Sequence, residues 1–88
     1  MEEGIILQEL EELAGQLAVE VRYDDLEGGR GGLCRFGGKT LLVVDRQLNM
    51  AERIALFRRA LGQLSLDEVF IRPRIRELLQ SAESDPFA

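Results

Sequence analysis

The chain contains no histidine. That absence removes the commonest zinc ligand, the usual general base and the side chain that changes charge near pH 7. A lone cysteine, Cys34, excludes an intramolecular disulfide and any multi-cysteine metal site. Tryptophan is missing and only 6% of residues are aromatic, so the core is expected to be aliphatic. No apolar run approaches the roughly 18 residues of a membrane span. Glu2 and Glu3 follow Met1, where a secretory leader would carry basic residues, so the expectation is a cytoplasmic chain.

What is present fits one small domain. The chain has 88 residues, 45% hydrophobic and 31% charged, enough for one core. The expected domain covers residues 1–81, with 82–88 as a frayed tail. The net charge of -5 argues against nucleic acid as the default partner. Charge is nonetheless uneven. Arg22 is the only base in residues 1–27, whereas seven arginines, from Arg46 to Arg76, lie in the second half. Surface charge mostly solvates, and that is the simpler reading of this asymmetry.

Periodicity supplies the elements. Ile6, Leu10, Leu13 and Leu17, flanked by Leu7 and Ala14, predict a first helix over 3–17, with Glu9, Glu11 and Glu12 outside. Val19, Val21 and Tyr23 alternate with Glu20 and Arg22, a half-buried strand. A short strand at Leu33–Phe36 and a longer one at Lys39–Asp45 flank Gly37-Gly38, a two-residue hairpin signal. The unbroken run Leu41-Leu42-Val43-Val44 suggests a strand buried on both faces, central or covered by helices.

The longest helix is expected from Asn49 to Leu64. Met50, Ile54, Phe57, Leu61 and Leu64 form its apolar stripe, and Asn49 with Glu52 can make a capping box. Glu52, Arg59 and Gln63 fall on the opposite, open face, and Gly62 suggests close approach of a neighbouring element. Ser65-Leu66-Asp67-Glu68 can cap a short turn of helix through Phe70, and Pro73 suits the first turn of a last helix, 73–81, with Ile75, Leu78 and Leu79 inward. The expected class is α+β, in the order α-β-β-β-α-α-α. A small mixed three-stranded sheet packs against two to four helices.

Several local patterns point to chemistry and fall short of it. Gly38-Lys39-Thr40 before an apolar strand imitates nucleotide-binding motifs. Its upstream glycine position holds Leu33, however, and a strand follows where a phosphate-binding helix should begin. Asp24, Asp25 and Glu27 precede a loop, Gly28–Gly32, but lack calcium-loop spacing. Cys34 reads as a structural thiol. These groups, with Arg30 or Arg35 as electrophile, define an alternative as a small acid-site or thiol enzyme. Arg58, Arg59, Arg72, Arg74 and Arg76 define another, weak nucleic-acid or phosphate binding, although Arg72 lies outside the last helix and cannot share its face.

ELAGQLAVEVRYDDL, followed by GGLCRFGGKTLLVVDRQLNMAERIALFRRALGQL, resembles the N-terminal part of the ImmA/IrrE-type metallopeptidases, a zincin family. The resemblance covers about residues 9–64. It implies a helix, strand and hairpin leading into a capped helix that carries an A-H-E-L-G-H core. Arg58-Arg59-Ala60-Leu61-Gly62-Gln63 stands at that core, where Leu61 and Gly62 match. The first histidine is replaced by Arg59, the glutamate by Ala60 and the second histidine by Gln63. An arginine repels a metal, an alanine cannot take a proton, and without the metal no hydroxide forms at neutral pH. Glu77 could stand for the family's further acidic ligand, but it would have no site to join. The resemblance therefore implies the scaffold without the peptidase: an interaction or regulatory module, self-associating or bound to a protein partner. No cofactor, metal or small-molecule substrate is expected. Glu52, Arg59 and Gln63 are the candidate partner face.

Overall fold

A computed structural model describes residues 2–27, 29, 31–66 and 69–80. Its elements follow the expected α+β order: α1 (Glu3–Gln16), β1 (Val19–Asp24), β2 (Gly31–Phe36), β3 (Lys39–Asp45), α2 (Met50–Gly62) and α3 (Pro73–Gln80). The expected short helix after Ser65 depends on Asp67 and Glu68, which lie outside the described residues, as does the 82–88 tail. The described neighbours 65–66 and 69–70 are not helical.

The sheet is mixed, in the order β1-β3-β2. β3 pairs in parallel with β1, Val21 beside Leu42, and antiparallel with β2, Leu33 beside Leu42. The apolar run is thus central, as its composition suggested. It is not buried on both faces. Leu42 and Val44 are fully buried, while Leu41 and Val43 are only half-buried. The helices cover the face bearing Val19, Leu42 and Val44, and among the described residues none packs over the other face. Leu41 and Val43 are flanked by Glu20 and Cys34 and by Arg22 and Gly32 on the neighbouring strands.

The helices follow from their stripes, with adjustments. In α1, Leu7, Leu10, Leu13 and Ala14 are buried, whereas Ile6 and Leu17 are only half-buried, so the stripe is rotated toward Leu7 and Ala14. Its C-terminal turn is closed by Ala18 at φ 60°, a left-handed position usually held by glycine. In α2, Ile54, Leu56, Phe57, Ala60 and Leu61 are buried, while Met50 at the first turn is exposed. The capping box forms in full: the Glu52 amide donates to the Asn49 carbonyl oxygen of its side chain (2.8 Å), and the Asn49 amide to the Glu52 carboxylate (2.9 Å). Gly62 is the last residue of α2 and is exposed. α1 packs chiefly on α2, and α3 lies against both through Ile75 and Leu79.

The tight β2–β3 hairpin has φ 57° at Gly37 and 80° at Gly38, the two positive values of a type I′ turn. Gly31 opens β2 at φ 104°, and a Cβ there would lie 1.9 Å from the Val43 carbonyl oxygen. Only glycine fits where the chain enters this strand.

Candidate functional site

On α2 the three positions singled out by sequence do not form one open face. Glu52 is committed to the capping box and half-buried, Arg59 is half-buried, and only Gln63 is exposed, at the C-cap. Ala60, one residue from Arg59 and a third of a turn around the helix, is buried in the core. A carboxylate placed at 60 would enter aliphatic surroundings rather than a wet cleft. Glu77 lies exposed on α3.

The acidic strand end is held by local hydrogen bonds. The Asp25 amide donates to Asp24 Oδ1 (2.8 Å), and the Gln47 amide donates to Asp45 Oδ1 (3.0 Å). Asp45 is buried and organises the turn into Leu48, whose amide returns to the Asp45 carbonyl (3.2 Å). Asp24, Asp25 and Glu27 are exposed; Gly28 and Arg30 lie outside the described residues. Among the described residues, no three Asp, Glu or Cys side chains stand close enough together to hold a metal ion.

A shallow hollow of about 200 Å³ lies between α1 and the segment entering α3, lined by Glu9, Glu12, Leu13, Phe70, Ile71 and Arg72 among others. Arg72 bridges to Glu9 there (3.0 Å). The arginines expected as a clamp are thereby divided: Arg72 is tied to α1, and Arg74 and Arg76 are exposed on α3.

A polar cluster that sequence reasoning missed joins three elements. The Tyr23 hydroxyl on β1 donates to Glu11 on α1 (2.5 Å), and the Arg53 guanidinium on α2 lies 5.5 Å from the Tyr23 ring centre. Arg53 also donates to the carbonyls of Leu48 (3.0 Å) and Arg46 (3.1 Å). Burial, then the carboxylate of Glu11, pushes the Tyr23 hydroxyl up to about 12, with Arg53 opposing. A phenol so protonated is a structural donor and not a base. Its signal in sequence was weak, because Glu11 is one of several glutamates along α1.

Among the described residues, the least committed surface is the sheet face that no helix covers. Register places Glu20, Leu41 and Cys34 in one row across it, and Arg22, Val43 and Gly32 in the next. Cys34 is exposed here, not a buried structural thiol. Phe36, at the hairpin, is 79% exposed. The two sheet edges differ. β1 displays Glu20 and Arg22, 3.7 Å apart, and Asp24. On this face β2 offers only Gly32, Cys34 and Phe36, uncharged side chains. The alternation in β1 announced an open face; the continuous run in β3 concealed it.

No family model, curated protein or solved structure matches the chain. Among the described residues, no helix is long and apolar enough to cross a membrane.

Proposed function

We propose that this domain is a protein-interaction module, a zincin-like scaffold whose helix α2 lacks the groups that would grip zinc and activate water. The observation that carries the interaction reading is the sheet face that no described residue covers, where Leu41 and Val43 lie beside the exposed Phe36 and Cys34. Apolar surface left open beside an unguarded strand edge is the surface type that association buries. The inactive half of the reading rests on α2: Arg59, Ala60 and Gln63 supply no metal ligand set, and position 60 points into the core.

The test is affinity capture from the native cells with wild type, Leu41→Lys and Arg59→Glu, each checked for native circular dichroism. The lysine stem can lie along the sheet while its ammonium reaches water, so the fold is expected to survive. The expected result is a defined partner held by wild type and released by Leu41→Lys. Release by Arg59→Glu alone would move the contact to α2. Zinc-dependent peptide cleavage by the purified chain would contradict the inactive scaffold.

A further inference from the structure

The hairpin geometry fixes which backbone groups of β2 face outward. In a two-residue type I′ turn, Phe36 and Lys39 exchange the hydrogen bonds that close the hairpin. Bonding alternates along an antiparallel pair, so Cys34 with Leu41 and Gly32 with Val43 are bonded in the same sense. The intervening Leu33 and Arg35 therefore direct their N–H and C=O groups away from β3. Among the described residues β2 has no second neighbouring strand. Its edge carries no proline and a single charge, Arg35, on the helix side of the sheet. By comparison, β1 guards its edge with Glu20, Arg22 and Asp24. Natural sheets protect edges that must stay single with charges, prolines and bulges.

We propose that β2 pairs antiparallel with β2 of a second copy of this chain, about a two-fold axis at Cys34. The inference rests on the interaction reading and names its partner and register. In this register Leu33 of one copy faces Arg35 of the other, and both pairs exchange the outward backbone bonds. The outer row, Gly32–Cys34–Phe36, then meets its own reverse. Each Phe36 ring, otherwise 79% exposed, lies across Gly32 of the other copy. A Cβ built on Gly32 meets nothing within 4 Å, so the space above that glycine is open to receive a ring. An aromatic laid over a glycine in the neighbouring strand repairs the glycine's missing contact. The charge pattern agrees: each arginine faces a leucine, and no two like charges stand directly opposite.

A single six-residue strand pair is smaller than the roughly 800 Å² per partner of a standard stable interface. The dimer is therefore reversible and populated only at high concentration. The same geometry gives a direct reporter. At a non-hydrogen-bonded pair the two Cys34 Cα atoms stand about 4.5 Å apart, inside the disulfide range of about 4.4–6.8 Å. If the axis instead passed through Leu33, each Cys34 would face Gly32, and the two cysteines would lie diagonally, about 7–8 Å apart and out of reach.

The experiment has two parts on the full chain. Light scattering from about 10 μM to about 1 mM reads the reversible dimer, for wild type and Phe36→Lys. The Phe36 side chain is solvent-exposed, so its replacement leaves the fold intact. Mild oxidation then compares wild type, Leu33→Cys in a Cys34→Ser background, and Arg22→Cys in the same background. The expected result is a molecular mass approaching twice that of the monomer in wild type only, with cross-linking at Cys34 at least about tenfold faster than at the other two positions. A strict monomer at about 1 mM, or equal cross-linking at Cys34 and Arg22→Cys, overturns self-pairing. Faster cross-linking at Leu33→Cys overturns the register. Monomeric protein that still captures a different chain, sensitive to Leu41→Lys, leaves the interaction reading standing while the self-pairing falls.

Discussion

Ala18 occupies the left-handed position after α1 with a side chain that disfavours it. Such strain costs about 1–3 kcal/mol, partly offset because glycine loses more freedom on folding. Ala18→Gly is therefore expected to stabilise the domain by about 0.5–1 kcal/mol, read as a higher denaturant midpoint at unchanged slope. A lower midpoint would contradict the assigned backbone. Tyr23 offers a second test, since it is the only tyrosine and tryptophan is absent. Its hydroxyl is raised from the ordinary tyrosine value of 10.0 to about 12, so the folded state holds the proton more tightly than the unfolded chain. The stability this contributes is complete below pH 10 and is lost as pH rises from 10 to 12. Absorbance titration at the tyrosinate band should show a midpoint well above the ordinary value, and Tyr23→Phe should flatten the fall of stability in that window. The sequence shows Tyr23 as a half-buried strand position, but neither its partner nor the conformation of Ala18 is legible there. A left-handed alanine has no sequence mark, and the Glu11 contact depends on how α1 lies against β1.

At the level of elements, most of the fold could be read because local signals agreed with one another. Asn49 and Glu52 marked the start of α2, and the capping box forms with those two residues. Gly37-Gly38 marked the hairpin, and both take positive φ. The errors share a cause: burial depends on neighbours that periodicity does not reveal. Leu41 to Val44 reads as doubly buried, yet among the described residues no helix lies on the second face. Met50 continues the stripe in sequence but stands beyond the packed surface at the first turn. Phe57 is the secure case. It is fully buried at the centre of α2, and Phe57→Ala should cost about 3–5 kcal/mol. Chemical denaturation measures this, and a loss below about 1 kcal/mol would contradict the packing of α2 on the sheet and α1.

For the whole molecule, layer count decides what remains available for function. Among the described residues, one layer of helices on one small sheet leaves the opposite sheet face open, and two strand edges with it. Helical spacing alone puts Glu52, Arg59 and Gln63 together on α2 and makes them a candidate face. Capping withdraws Glu52, and the more open surface belongs to the sheet. That surface was partly legible in the alternation of β1. It was hidden in β2 by glycines, and in β3 by an apolar run that would suit a covered strand equally well. Charge follows the same division: β1 carries alternating acids and a base, and β2 presents glycine, cysteine and phenylalanine. A monomer that needed no partner would have reason to guard both edges alike.

The most direct measurement of the interaction account is a backbone amide NMR concentration series on the unmodified chain, from dilute to about 1 mM. The account predicts progressive shifts at Leu33, Cys34 and Arg35, with smaller ones at Leu41 and Val43 and none at Leu10 or Phe57. Amides of β2 that stay fixed while those around Arg59 and Gln63 move would contradict it.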